Sequence, residues 1–160
     1  MEPVGVRPFG STGCLVIPNG DLFDFGILES MMNMSWVRNV CGRLKSDYRY
    51  SKDIVYNNFP WPSEPTDKQR EAIEQAAQAV LDARAAHPDS SLADLYDPVA
   101  MPPDLRRAHQ ELDRAVDAAY GKKGFASDAE RVAFLFELYH QYTSLLPKPE
   151  APAKRKRRKT

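Results

Sequence analysis

The sequence predicts an α+β, mostly α protein: short strands plus one long helix, then a small antiparallel helical bundle, then a disordered basic tail. Three observations predict it. Apolar residues recur at three- and four-residue steps through most of the second half, between recognisable helix start and stop signals. The stretch Tyr48–Pro62, YRYSKDIVYNNFPWP, instead crowds five aromatics and two prolines into fifteen residues, too many for a helix. Residues 147–160 hold seven basic residues and one acidic, whereas the preceding 146 hold 15 basic and 21 acidic residues. The formal net charge of zero thus conceals a +6 tail on a −6 body.

Taken in order, residues 1–21 carry glycines and prolines around one apolar run, Cys14-Leu15-Val16-Ile17, a short strand closed by the turn signal Pro18-Asn19-Gly20. From about Asp24 to Leu44 the pattern is helical, with Ile27, Leu28, Met31, Met34, Val37, Val40 and Cys41 on one stripe and Gly42 near the end. Ile54-Val55-Tyr56 predicts a brief strand, and Pro60 and Pro62 force extended backbone after it. Thr66 with Gln69 forms a capping box, in which each residue's side chain bonds the other's backbone N–H. It opens an alanine-rich helix with Ile73, Ala77, Val80 and Leu81 inward, broken at His87-Pro88. A short helical turn at Ser91–Tyr96 precedes a helix that begins at the proline pair Pro102-Pro103, where a missing N–H does no harm, and runs to Tyr120. Its inward stripe is Leu105, Ala108, Leu112, Ala115 or Val116, and Ala119. Ser127 with Glu130 caps a last helix that turns Val132, Leu135, Phe136 and Tyr139 to the core. The tail has too little apolar surface to fold.

Composition narrows the function. At 160 residues and 42% hydrophobic, the chain can build one domain or two small ones. No apolar run approaches the roughly 18 residues that span a bilayer, and no signal peptide is evident, so a cytoplasmic location without membrane contact is expected. Cys14 and Cys41 lack the spacing of a redox pair. Glu137 and His140 make a single Glu-x-x-His pair, whereas a carboxylate-bridged di-metal site needs two and further glutamates; no metal site is expected. His109 is expected to lie exposed on its helix.

Two segments carry candidate chemistry. Asn58-Phe59-Pro60-Trp61 resembles the Asn-Pro-Pro-Tyr/Phe loop with which amino-group DNA methyltransferases hold a flipped base. Phe59 separates Asn58 from Pro60, however, and no glycine-rich loop for S-adenosylmethionine lies upstream, so no catalytic residue is assigned. Phe59, Pro60, Trp61 and Pro62 read instead as anchors of a connector between residues 1–62 and 63–146. The second segment is Gly42–Ser51, where basic, polar and aromatic residues alternate. Lysine and arginine donate to guanine O6 and N7 and aspartate accepts from cytosine N4, so Lys45, Asp47 and Arg49 are candidate base contacts. Arg43, Tyr48, Tyr50, Ser51 and Lys52 are candidates for backbone contact or support, since such side chains commonly hold phosphates. A solvated turn whose charges pair with one another is the alternative. The KRKRRK run is a nuclear-import or nucleic-acid patch in a eukaryote, and a nonspecific phosphate-binding or solubilising end in a bacterium.

The order of motifs adds a further reading. FGILESMMNMSWVRNVCGRLKSDYRYS, IVYNNFPWP, LADLYDP, MPPDLRRAHQELDRAVDAAYG and ERVAFLFELYHQY, spread over roughly residues 14–146, resemble the C-terminal part of the bacterial MmeI-like type IIL/IIG restriction–modification enzymes and their adenine-specific DNA methyltransferase relatives. In that family a nuclease region and an adenine-N6 methyltransferase core precede a target recognition domain, and a helical domain follows it. The resemblance implies that residues 1–62 are the end of a DNA target recognition domain, 63–146 the helical C-terminal domain and 147–160 a tail. It implies that Lys45, Asp47 and Arg49 sit in the groove of double-stranded DNA. Chemistry then suggests that Lys45 and Asp47 together read one G·C pair.

The departure from the family is in length: the Asn-Pro-Pro-Tyr motif, the cofactor loop and the nuclease cluster are missing from the sequence. The expectation is therefore a gene fragment, split subunit or remnant that neither methylates nor cuts by itself and binds no cofactor. The parent family's S-adenosylmethionine, and magnesium for cleavage, would belong to a separate or lost catalytic polypeptide. The competing reading is an autonomous helical protein-interaction module. Loss of the rest of the recognition domain would also leave Met31, Met32, Met34 and Trp36 as an uncovered interface.

Overall fold

A computed structural model describes residues 7–9, 14–44 and 47–144. Lys45, Ser46 and the basic tail lie outside the described residues, as do the side chains of 1–15 and 43–47. The first pair of strands, β1 (Arg7–Phe9) and β2 (Cys14–Val16), is antiparallel with Pro8 opposite Leu15. The turn after β2 places Asn19 at φ 58°, a left-handed conformation that asparagine tolerates.

The single long helix expected over 24–44 is two helices, α1 (Leu22–Glu29) and α2 (Met31–Val40). Ser30 divides them. Its backbone is extended, its hydroxyl donates to the Ile27 carbonyl at 2.6 Å, and its oxygen accepts from the Asn33 N–H at 3.4 Å, so one residue ends α1 and caps α2. The break re-aims the apolar stripe. Met32 and Trp36 are 1% and 3% exposed, while Met34, on the expected stripe, is 39% exposed. Met32 and Trp36 therefore form no uncovered interface. Asp21 starts α1 with a capping box closed by Asp24, a signal that carboxylate pairs give as well as serine and glutamate.

After α2 come β3 (Gly42–Leu44) and β4 (Asp47–Arg49), where the helix was expected to finish. The strand expected at Ile54–Tyr56 is instead a π turn, Lys52–Tyr56, closed by Asn57 N–H donating to the Lys52 carbonyl at 2.9 Å. Ser51 caps it, accepting from Ile54 N–H, and the Asn58 side chain bonds the carbonyls of Asp53 and Ile54. Local side-chain bonds thus outweigh the β preference of Ile54 and Val55.

Four more helices follow: α3 (Asp67–Ala85), α4 (Leu92–Leu95), α5 (Pro103–Ala119) and α6 (Asp128–Ser144). Thr66 and Gln69 form the expected capping box, and Gln69 also donates to the Ala118 carbonyl at the far end of α5. His87, just past the end of α3, meets Asp104 at the start of α5, so the two helices run antiparallel. α1 lies across both. Gly26 makes the crossing close: a Cβ there would stand 2.7 Å from Ile73 Cγ2 and 3.3 Å from Leu112 Cδ1. Ile27, Ile73, Ala77, Val80, Leu105, Leu112, Val116 and Leu135 are fully enclosed, so one core runs from α1 through α6. Phe136, expected inward, is 43% exposed but lays its ring against Trp36.

Candidate nucleic-acid interface

β3 and β4 form a two-stranded antiparallel ribbon in the register Gly42↔Arg49, Arg43↔Tyr48 and Leu44↔Asp47. Side-chain direction alternates along a strand, so Tyr48 and Arg49, whose side chains are described, turn to opposite faces of the ribbon. Four of the eight residues expected at DNA, Arg43, Asp47, Tyr48 and Arg49, are brought onto one ribbon that follows α2. Arg49 is exposed, and Tyr48 is 39% exposed.

Tyr50, Ser51 and Lys52 lie past the ribbon. The Tyr50 phenol is pushed up to about 12, by burial first and then by neighbouring Tyr56 and Cys41, so it keeps its proton and can donate to an anion. Burial, followed by Asp24, likewise raises Tyr56. Ser51 is occupied as the cap of the π turn, and Lys52 faces Asp53 at 3.7 Å.

The connector is fastened from both sides. Phe59 is 4% exposed, and Pro60 and Pro62 are buried. Trp61 is half-buried and packs edge-on against Tyr56 and Phe59, with centroids 5.8 and 5.6 Å away. Tyr120 of α5 donates to the Pro60 carbonyl at 2.9 Å, and Tyr142 of α6 to the Trp61 carbonyl at 3.1 Å. Proline supplies no N–H, so Pro60 is tied through its carbonyl, while the Phe59 and Trp61 N–H groups donate to the Tyr56 and Phe59 carbonyls at 3.2 and 3.0 Å. Burial drives the Tyr120 phenol well above its ordinary range, which keeps the proton that this bond needs.

Two features escaped the sequence reading. A cavity of about 660 Å³ opens between α2, α4 and α5, with Met31, Met34, Leu92 and Met101 on its walls. On its margin Arg84 donates to Glu29 at 2.7 Å and to the Tyr96 oxygen, and Tyr96 reaches His109 Nε2 at 2.6 Å. His109 is half-buried rather than exposed; burial, with Arg84 adding, lowers its pKa and keeps the ring neutral. Since Arg84 already fills the acceptor side of the Tyr96 oxygen, the phenol proton points to Nε2. The second feature is a buried pair, Asp117 with Arg131 at 3.1 Å. Among the described residues no cluster of three or more His, Cys, Asp or Glu could hold a metal, and no helix is long and apolar enough to cross a membrane.

Comparison with known proteins supplies the family. The pattern of the MmeI target recognition domain matches residues 7–63, and that of the MmeI C-terminal domain residues 65–147. "DNA methyltransferase A" of Bacillus subtilis (strain 168) is 45% identical over 128 residues, which are 80% of this chain and 14% of that protein. A solved structure of the type IIL restriction-modification enzyme MmeI in complex with DNA is 54% identical, superposes with a TM-score of 0.78, and is matched over 81% of this chain and 17% of its own. The chain thus spans under a fifth of the length of either relative. It belongs to the MmeI family, matching that family's target recognition and C-terminal domains.

Proposed function

We propose that this chain is the sequence-reading and helical support segment of a bacterial restriction–modification adenine-N6 methyltransferase, with double-stranded DNA as its partner. The observation that carries the reading is the antiparallel β3–β4 ribbon, which holds Arg43, Asp47 and Arg49 on paired strands and exposes Tyr48 and Arg49; Lys45 lies outside the described residues. A two-stranded ribbon fits the major groove, where lysine and aspartate can serve the two halves of one G·C pair. Residues 1–62 supply the reading and 63–146 the helical support, working in the bacterial cytoplasm at the nucleoid. The kinship to MmeI, itself solved with DNA, supports the reading.

Methyl transfer then belongs to a catalytic core on a separate polypeptide or further along a longer one. The strand-to-helix turn Pro18-Asn19-Gly20-Asp21 carries one glycine and caps α1 with a carboxylate, a poor cradle for S-adenosylmethionine. Calorimetry with S-adenosylmethionine should accordingly show no heat of binding to this chain, and saturable binding would refute the assignment.

Selection from a random duplex library tests DNA reading. The chain should enrich one sequence, and Lys45→Ala/Asp47→Ala/Arg49→Ala should abolish the enrichment. Binding that depends on salt and on residues 147–160 alone would favour a helical interaction module instead. In a complete parent protein, Lys45→Glu with Asp47→Arg should move the preferred base from G to C. An unchanged methylation site would end the base-pair hypothesis.

A further inference from the structure

The ribbon leaves the protein at the end of α2 and returns through the π turn, and one side chain ties these two ends together. Trp36 lies on α2 one turn before its end, is 3% exposed, and donates its indole N–H to the Val55 carbonyl at 3.1 Å. Val55 is itself fully enclosed. Three rings fix the indole: Phe136 and Tyr139 of α6, with centroids 5.3 and 5.6 Å away, and Phe59 of the connector at 6.4 Å. The backbone continues the tie on each side, with Cys41 N–H bonding the Val37 carbonyl at 3.0 Å and Val55 N–H the Ser51 carbonyl at 2.8 Å. The strands between have three residues each. An isolated two-stranded hairpin of that length is at best marginal in water, so its direction comes from its ends.

We infer that Trp36 is a positioning residue for base recognition, setting the angle at which the β3–β4 ribbon leaves α2 by holding the Val55 carbonyl against α6. The inference rests on the DNA-reading function proposed above. Base-edge contacts tolerate errors of only about 0.5 Å and 10–20°, and phosphate contacts far larger ones. Loss of the tie should therefore degrade discrimination between sequences while leaving general DNA affinity in place. Helix α6 acquires a role as well, since two of its rings locate the indole.

The test uses the full 160-residue chain with 3-benzothienylalanine at position 36, which keeps the fused rings and replaces the indole N–H with sulfur; Trp36→Phe is a second variant. The measured quantity is the ratio of dissociation constants for the selected duplex and a scrambled one. A fall in that ratio of about tenfold, the worth of one good base contact, is expected with the scrambled-duplex constant within about twofold of wild type. Hydrogen exchange at residues 42–49 should quicken while that of α3 and α5 holds. An unchanged ratio in the benzothienyl variant overturns the inference, as does an equal loss of affinity for both duplexes. Failure of the wild-type chain to select any sequence would instead sink the DNA-reading function, and this inference with it. Should Trp36→Phe fail to fold, the isosteric variant still decides.

Discussion

The helical bundle and the recognition ribbon make opposite uses of the same chain. The bundle encloses seven apolar side chains completely and closes its helix ends with capping boxes. The ribbon has two strands of three residues, no enclosed side chain among those described, and tyrosines more than a third exposed on and beside it. Stability is concentrated where no DNA contact is proposed, and the proposed contacts lie where stability is not at stake. The proposed base-reading positions can then change without unfolding the protein, provided that the base of the ribbon stays fixed.

Substitutions can break or sharpen that contrast. The largest effect is expected at the buried Asp117–Arg131 pair, whose side chains are 7% and 11% exposed. Arg131→Met leaves a carboxylate that burial already holds above its usual range without its cation, and urea unfolding should show a loss of about 3–5 kcal/mol. Leu112→Ala, at a fully enclosed site under Gly26, should lose about 2–5 kcal/mol in the same measurement. Thr66→Ala removes the cap of α3 and should lose about 1 kcal/mol.

A gain is expected at Asp113. Burial raises its carboxyl, against the lowering effects of the Met31 N–H at 2.7 Å and of Arg131. A carboxyl raised in the folded state binds its proton more tightly there than in the unfolded chain. Its contribution to stability is therefore largest at acid pH and falls as pH climbs from the unfolded carboxylate range through the raised value. Asp113→Asn keeps the acceptor and loses the charge, so it should raise the melting temperature at pH 7, with the gain vanishing toward pH 4. The smallest effect closes the series: Lys45→Ala with Asp47→Ala should move stability by under about 0.5 kcal/mol while changing DNA selectivity. A large destabilisation there would erase the contrast between bundle and ribbon.

The bundle was legible because its signals are local. Thr66 with Gln69, Pro103 and the steps Leu105–Leu112–Val116 each state their own structure. The first sixty residues were legible in content but not in geometry. Ser30 looks like any serine within a helical stripe, and its role as a double cap follows from the need of α1 to cross α3 at Gly26. Ile54-Val55-Tyr56 has strand composition, yet Ser51 and Asn58 are placed to close a π turn around it. Lys45, Asp47 and Arg49 are proposed from their chemistry, whereas the support around them was not legible in the sequence. Trp36 read as an uncovered apolar residue because its partners lie 19 to 103 positions further along. The Arg84–Tyr96–His109 chain was hidden too, although its members are only 12 and 13 positions apart, because they come from three different elements.

The passage of the core beneath the connector has a practical consequence for building chimeras. α1 and α2 belong to the matched recognition domain, yet Gly26 and Ile27 are seated among Ile73, Ala77 and Leu112 of the helical half. A splice at the proline-rich connector would pair surfaces that were never fitted to each other. The cassette that the proposed reading makes interchangeable is shorter: residues 42–50, between the end of α2 and the cap of the π turn, bounded by Trp36 and Val55. On the proposed reading, grafting that piece alone would transplant the address and leave the foundation untouched.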